Sequence, residues 1–147
     1  YHSVYEGLCA ITSGCGYVLV HDGARPMITS EEINYLLEQT EKNQACVLAV
    51  PVKDTIKEIN EKREVVFTPD RNRLWQIQTP QGFAYQKLKE GYEQLFDTKM
   101  EEGITDDSMV WEATQSEPVT IMEGSYRNIK ITTAEDLLIA EQFLQQA

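Results

Sequence analysis

The chain has 147 residues, 41% hydrophobic and 25% charged, which is typical of one globular domain with a substantial core. Its formal net charge of -11 disfavours DNA or RNA as a partner, because nucleic-acid binding neutralises many phosphates with clustered basic side chains. No apolar run approaches the ~20 residues of a membrane span, and the three cysteines lack metal-ligand spacing, so we predict a cytoplasmic protein with reduced cysteines, no membrane partner and no structural zinc.

The first part of the chain is expected to alternate between helices and strands. Residues 3–13 form a predicted helix, and because no capping signal precedes it, we expect the chain to begin inside its domain. A strand over 17–21, a helix over 30–43 and a strand over 46–50 follow. That order favours a parallel sheet with right-handed crossovers.

Residues 52–68 break this pattern and predict a β-hairpin. Two stretches, 52–57 and 64–68, alternate polar and apolar residues around a polar tip. A hairpin has too little sheet beside it to bury both faces, so it often extends as an arm and packs on a partner chain. Folding back onto its own domain is the alternative. We place the arm at about residues 52–79, including a strand-like stretch that begins at Trp75.

The remaining pattern continues the same mixed α/β architecture. The predicted elements are a helix near 84–97, a helix over 106–114 with Thr105 as its N-cap, short strands over 119–122 and 129–131, and a closing helix opened by residues 132–136. No linker or composition shift divides the chain, so residues 1–147 are interpreted as a single domain.

The turn from His21 to Pro26 follows an apolar strand and precedes a helix, so it lies where open α/β sheets hold their ligands. Asp22 offers hard oxygens suited to Mg²⁺, Gly23 lets a ligand approach the backbone, and Arg25 can bind an oxyanion or hold the acid. We interpret His21 as a structural histidine that supports the turn. An ordinary strand-to-helix loop with a surface ion pair explains this string equally well.

Several motifs occur together in one order along the chain: Ser3-Val4 with Gly7-Leu8, His21 to Pro26, Pro51 to Lys57, Asp70 to Trp75, Gln78 to Phe83, Thr105-Asp106-Asp107, and Asn128 to Thr133. This set resembles the 2-C-methyl-D-erythritol 4-phosphate cytidylyltransferases of the non-mevalonate isoprenoid pathway. The resemblance implies an α/β fold with a Rossmann-like nucleotidyltransferase sheet and an extended β-hairpin arm, in a homodimer joined through exchanged arms. It also implies a reaction in which CTP and methylerythritol phosphate give the cytidine diphosphate alcohol and pyrophosphate.

The resemblance assigns roles to residues near the start of the chain. Ser3 matches a serine that lies by the nucleotide base and ribose. Asp22 matches an aspartate that contacts the metal, Mg²⁺, together with the nucleotide and the substrate hydroxyls. Arg25 matches its basic companion in the same turn, and is expected to bind substrate.

Further roles are implied for residues of the arm and the later segments. Thr55 and Arg71 match arm residues that enter the neighbouring subunit's site, where the arginine orients the substrate phosphate. Thr105 matches a threonine that contacts the substrate, and Lys130 matches the lysine that positions the attacking phosphate. Arg71 and Lys130 are therefore the expected catalytic pair.

One segment of the family pattern is absent from this sequence. The family opens with a glycine-rich loop whose arginine and lysine cradle the triphosphate, so we expect the fold to be N-terminally truncated. Without those donors and cations, charge that develops on the α-phosphate has no preorganised partner. We therefore expect residues 1–147 alone to be inactive, although the parent protein is an enzyme.

Two other functions fit part of the pattern. A ribitol-5-phosphate cytidylyltransferase shares the fold and the chemistry, but the strings Pro51 to Thr55 and Asp70 to Trp75 look more like the isoprenoid enzyme. A non-catalytic dimerisation module, an acidic α/β domain whose arm only joins two copies, is the alternative from another class. In that module Lys130 would be a solvated lysine on an edge strand.

Overall fold

The computed structural model describes residues 2–12, 14–98 and 103–146. Within these ranges the elements are, in chain order, α1 (His2–Cys9), β1 (Tyr17–Val20), α2 (Ser30–Asn43), β2 (Ala45–Pro51), β3 (Glu58–Ile59), β4 (Val65–Phe67), β5 (Trp75–Ala84), α3 (Tyr85–Thr98), α4 (Asp107–Thr114), β6 (Thr120–Glu123) and α5 (Ala134–Gln145). A short 3-10 turn, Arg71–Arg73, precedes β5. In this part of the chain, no helix combines the length and apolar character needed to cross a bilayer.

The central sheet has the strand order β1-β5-β2-β6. Strand β2 is parallel to β6, whereas β5 lies between β1 and β2 and is antiparallel to both. The expectation of a parallel sheet is therefore wrong for this strand. Strands β1 and β2 do run in the same direction, but the arm reverses the chain before β5, which enters between them from the opposite end of the sheet.

Helices cover both faces of the central sheet. Because alternate residues of a strand face opposite ways, Cys46 and Leu48 of β2 pack with Leu36 of α2 on one face. Val47 packs into the larger cluster on the other face, which contains the buried Trp111 of α4 and the apolar side of α3. Strand β2 is thus buried on both sides, as its continuous apolar run predicts.

The predicted hairpin is present as a separate two-stranded sheet formed by β3 and β4. Its pairing begins at Glu58, later than the expected 52–57 stretch. The expected arm of 52–79 is also too long, because the stretch that begins at Trp75 pairs with β2 in the central sheet. Residues 53–68 are exposed, so the hairpin does not fold back onto its own domain. Val66 and Phe67 are 62% and 56% exposed, which leaves an apolar surface on the arm.

Two helix boundaries differ from the sequence expectation. Helix α1 ends at Cys9 rather than near residue 13, which lies outside the described residues. The N-cap of α4 is Asp106, whose side chain accepts a hydrogen bond from the amide of Met109, so the expectation that Thr105 is the cap is wrong. Aspartate and threonine are both favoured caps, and composition alone does not choose between neighbours.

The short strand expected over residues 129–131 is also wrong, because this segment pairs with a turn instead of a strand. The amide of Ile131 donates to the carbonyl oxygen of Ala24 at 2.8 Å. The segment is nevertheless held close to the turn that follows β1, and this contact brings Lys130 into the site described next.

Candidate active site

A cleft of about 450 Å³ opens at the carboxyl end of β1. Its walls come from α1, the turn after β1, the middle of β5, and the segments that precede α4 and α5. The predicted site residues that line it are Ser3, Asp22, Arg25, Thr105 and Lys130. The fold therefore brings together side chains from four separate segments of the chain, all of which the sequence analysis singles out.

Asp22 forms ion pairs with two cations in this cleft. The Nζ atom of Lys130 lies 3.0 Å from Oδ2 of Asp22, and Nε of Arg25 lies 3.8 Å from the same oxygen. The side chains of Asp22 and Lys130 are 37% and 48% exposed, so a ligand can reach both. Because both ion pairs use Oδ2, the second carboxylate oxygen of Asp22 lies outside them.

The side chain of Arg25 is more deeply buried than that of Asp22. Its Nη1 atom donates a hydrogen bond to the carbonyl oxygen of Asn128 at 2.7 Å, while its buried Nε has no hydrogen-bond partner within the described residues. Burial lowers the pKa of the Arg25 guanidinium, and the charge of Asp22 opposes that shift. An arginine keeps its charge at neutral pH despite such a shift, so the cleft holds a fixed cation.

The turn that carries Asp22 is fixed by hydrogen bonds to β5. The amide of Asp22 donates to Oγ1 of Thr79 at 2.9 Å. His21 lies with Nε2 3.0 Å from the carbonyl oxygen of Arg25 and Nδ1 3.1 Å from Oγ1 of Thr79. Since a carbonyl only accepts, we assign the proton to Nε2, and the Thr79 hydroxyl then donates to Nδ1. These contacts agree with the interpretation of His21 as a histidine that supports the turn.

A second set of hydrogen bonds fixes the part of the cleft lining that precedes α4. Gln81 of β5 is buried; its Nε2 donates to Asp106 at 3.0 Å and its Oε1 accepts from the amide of Ser108 at 3.1 Å. The Ser108 hydroxyl also bonds the Asp106 carboxylate. These contacts tie the start of α4 to β5 and thereby fix the backbone beside Thr105.

Sequence reasoning misses Thr79, Gln81 and Asn128. All three are neutral polar residues that reach partners in distant segments, and residue type alone does not indicate such partners. All three lie inside the motif strings on which the resemblance rests, and membership of those strings is the sequence signal that could have identified them.

The chain resembles known proteins in both sequence and fold. The family model described as IspD, 2-C-methyl-D-erythritol 4-phosphate cytidylyltransferase, matches residues 1–146. The chain belongs to this family. A curated 2-C-methyl-D-erythritol 4-phosphate cytidylyltransferase of Alkaliphilus oremlandii is 48% identical over 143 residues, which are 97% of this chain and 59% of that protein. The chain therefore spans about three-fifths of the length of such curated relatives.

Solved structures of the IspD family have the same fold. The 4-diphosphocytidyl-2C-methyl-D-erythritol synthase of Anaerococcus prevotii superposes with a TM-score of 0.89 at 39% identity, covering 97% of this chain and 65% of that one. The Francisella tularensis 2-C-methyl-D-erythritol 4-phosphate cytidylyltransferase gives 0.86 at 33% identity, covering 95% of this chain and 65% of that one. The Rossmann-like nucleotidyltransferase fold is confirmed, and these relatives do not favour the ribitol-phosphate alternative.

Two site residues expected in an IspD chain do not line the cleft. Thr55 and Arg71 lie in the exposed arm, where Nη1 of Arg71 donates to the carbonyl oxygen of Lys53 at 2.8 Å. A role for these residues in the site of their own chain has no support in this arrangement. Their role in a neighbouring subunit stays a prediction.

Proposed function

We propose that this chain is part of an enzyme that joins CTP and 2-C-methyl-D-erythritol 4-phosphate to give 4-diphosphocytidyl-2-C-methyl-D-erythritol and pyrophosphate. The observation that carries the proposal is the cluster of Asp22, Arg25 and Lys130 in one cleft of an IspD-family fold. An enzyme of this pathway acts on small soluble substrates, and the three free cysteines are consistent with a cytoplasmic location.

The proposed chemistry is an in-line attack of one phosphate on another. An oxygen of the alcohol's phosphate attacks the α-phosphorus of CTP, the new P–O bond forms as the bond to the β-phosphate oxygen breaks, and pyrophosphate leaves. The attacking phosphate is already ionised, so no general base is needed. Two contributions to the barrier must be lowered by the protein. The two anions repel each other, and the two free reactants lose entropy when they are brought together.

Lys130 and Arg25 supply the positive charge that this reaction requires. A pair of unit charges ~4 Å apart is worth ~1 kcal/mol in water but ~4 kcal/mol at the effective dielectric near a protein surface. Lysine acts as a compact point charge, which suits Lys130 for holding the attacking phosphate. The largely buried Arg25, which pairs with Asp22, suits a fixed positive charge beside the oxygens of the substrate.

Magnesium fits this site as an ion shared between protein and substrate. Among the described residues, no cluster of three His, Cys, Asp or Glu side chains could hold a metal by itself. Mg²⁺ is, however, commonly bound through one or two carboxylates together with substrate phosphates and water. Asp22 would hold it through the oxygen that neither ion pair uses. Bound there, Mg²⁺ would neutralise charge on the triphosphate.

Dimerisation through the arm completes the proposed site. The exposed apolar surface of the arm, at Ile59, Val65, Val66 and Phe67, is suited to packing on a second copy of the chain. A partner's arm is the route by which Arg71 would reach the substrate phosphate and Thr55 the substrate. Ser3 and Thr105, which both line the cleft, are proposed to contact the nucleotide and the substrate respectively.

The decisive experiment compares residues 1–147 with a completed enzyme. We define the completed enzyme as residues 1–147 joined to the part of the Alkaliphilus oremlandii relative that lies outside the match. Pyrophosphate release is measured with CTP and either methylerythritol phosphate or ribitol 5-phosphate. We expect turnover only by the completed enzyme and only with methylerythritol phosphate. Turnover by residues 1–147 alone would overturn the expectation that this piece is inactive.

Lys130→Ala in the completed enzyme tests the site itself. Losing one charge stabiliser of this kind costs ~10²-fold or more in rate, so we expect at least that loss. The control is Lys42→Ala, which removes an exposed lysine at the end of α2. Equal activity of the two variants would contradict the placement of the reaction in this cleft.

A further inference from the structure

Asn128 is a fully buried polar residue at the junction of three segments of the site. Its Nδ2 atom donates to the carbonyl oxygen of Thr79 at 2.9 Å and to Oε1 of Gln78 at 3.3 Å. Gln78 in turn donates from Nε2 to the carbonyl oxygen of Ser125 at 2.9 Å. These side-chain bonds attach the segment before α5 to strand β5, where no strand pairing does so.

The same residue also reaches the turn that carries the acid. The carbonyl oxygen of Asn128 accepts the hydrogen bond from Nη1 of Arg25 at 2.7 Å. Three residues later, the amide of Ile131 donates to the carbonyl oxygen of Ala24 at 2.8 Å. Lys130 therefore lies between two anchored points of the backbone.

Lys130 needs such anchors because its own side chain is half-exposed and flexible. Its 3.0 Å contact with Asp22 depends on where the backbone places its Cα atom. We propose that Asn128 is a positioning residue. Its side-chain amide fixes the backbone of its own segment, which carries Lys130 and whose carbonyl oxygen at Asn128 holds the guanidinium of Arg25. Both cations are thereby placed beside Asp22. The inference rests on the proposed function for its catalytic consequence.

The hydrogen-bonding pattern of Asn128 identifies the substitution that tests this role. Its Oδ1 atom is buried without a hydrogen-bond partner within the described residues, so the amide acts through its Nδ2 donor. Asn128→Asp keeps the shape of the side chain and replaces that donor with an oxygen that faces two acceptors. An unpaired buried acceptor is costly, so the segment should move away from β5.

The first measurement is hydrogen exchange of residues 1–147, which needs no activity. In Asn128→Asp we expect the amide of Ile131 to lose most of its protection against hydrogen exchange. The amide of Leu48, in the core strand β2, should stay as protected as in the unsubstituted chain. Asn34→Asp, on the exposed side of α2, is the matched control. If Asn128→Asp is too unstable to study, Gln78→Met removes one partner of Asn128 and should cause a smaller loss at Ile131. Unchanged exchange at Ile131 in these variants would overturn the inference.

The second measurement is kinetic and uses the completed enzyme. Small misplacements of reacting groups can cost ~10²-fold, and we expect kcat/KM for methylerythritol phosphate to fall by about 10- to 100-fold in Asn128→Asp, with KM for CTP changed much less. A role in folding alone would lower the active fraction and leave both KM values unchanged. Because the effect passes partly through Lys130, combining Asn128→Asp with Lys130→Ala should cost less than the product of the two single losses.

The two measurements separate failure of this inference from failure of the proposed function. Multiplicative losses in the double variant would overturn the positioning role. Absence of turnover in the unsubstituted completed enzyme would overturn the proposed function, and hydrogen exchange at Ile131 would still decide whether Asn128 fixes the backbone that carries Lys130.

Discussion

Asp107 is a carboxylate buried at the start of α4, at the edge of the cleft. The hydroxyl of Tyr92 donates a hydrogen bond to it. Burial raises the pKa of the Asp107 carboxyl and neighbouring Asp106 raises it further, whereas the bond from Tyr92 opposes these shifts. The tyrosine is affected as well, since burial and the adjacent carboxylate raise the pKa of its hydroxyl. This pair therefore links the stability of the fold to pH.

The sign of that link follows from proton binding. An acid whose pKa is raised by folding holds its proton more tightly in the folded state, so the free energy of unfolding falls as pH rises from the ordinary aspartate value of about 3.9 to the raised value. Asn in place of Asp107 keeps an acceptor for Tyr92 and removes the charge. We therefore expect the stability of Asp107→Asn, relative to the unsubstituted chain, to improve across that pH interval.

Urea unfolding of residues 1–147 at several pH values checks this expectation. Asp97→Asn, which removes an exposed carboxylate from α3, controls for the change in net charge. A stability difference that is constant with pH, or that shifts against Asp107→Asn as pH rises, would show that the buried carboxylate is not the titrating group.

Single residues also show how far the site could be predicted from sequence. Asp22, Arg25 and Lys130 are charged and fall in motifs, so residue type and order are enough to single them out. The positions of Thr79 and Asn128 could not be found in this way, because their importance arises from hydrogen bonds between segments that are far apart in the chain. Local pattern does not encode which carbonyl a buried amide will meet.

The close approach of helix α2 to strand β5 depends on a glycine. A Cβ atom at Gly82 would collide with Oγ1 of Thr40 and lie 2.9 Å from Cδ2 of Leu19. Thr40 is fully buried and bonds the carbonyl oxygen of Leu36 at 2.7 Å, so it cannot easily turn away. The packing of this helix on the central sheet therefore requires the absence of a side chain at residue 82.

Gly82→Ala should accordingly destabilise the domain. Overpacking a well-filled core typically costs about 1–3 kcal/mol, and denaturant unfolding is expected to show a loss in that range. Adding Thr40→Ala removes the colliding hydroxyl and should restore part of the loss. Gly7→Ala, at a position where a Cβ meets nothing within 4 Å, is the matched control. A Gly82→Ala variant as stable as the Gly7→Ala variant would contradict this account of the contact.

The elements themselves were largely predictable, and their pairing was only partly so. Helix α2 occupies the expected residues because its N-cap Thr29 and Glu32 form a capping box, a local signal. The insertion of β5 between β1 and β2 could not be read from the strand-helix-strand order, because partner choice depends on where the arm returns the chain. The same limit explains the missing strand at 129–131, where the amide of Ile131 bonds a turn instead of a strand.

Charge is distributed unevenly along the chain. The net charge is -11, yet six of the 13 Lys and Arg residues lie between residues 53 and 73. The arm is thus the part of this acidic chain that is richest in cations, and its exposed apolar residues give it a surface for a partner. If the arms are exchanged as proposed, Arg71 would reach an anionic substrate bound by the other copy, where extra positive charge lowers the repulsion between phosphates.

Subunit mixing tests whether Arg71 acts in the partner's site. In the completed enzyme, Arg71→Ala and Lys130→Ala homodimers should both be nearly inactive. A mixed dimer, isolated through two different affinity tags, contains one site with both residues intact and one site that lacks both. We therefore expect the mixed dimer to recover about half of the unsubstituted activity.

Arg73→Ala, at the neighbouring exposed arginine, should remain active as a homodimer. A mixed dimer as inactive as its parents would place Arg71 in its own subunit's site or outside the reaction, and a completed enzyme that sediments as a monomer would remove the basis for exchanged arms.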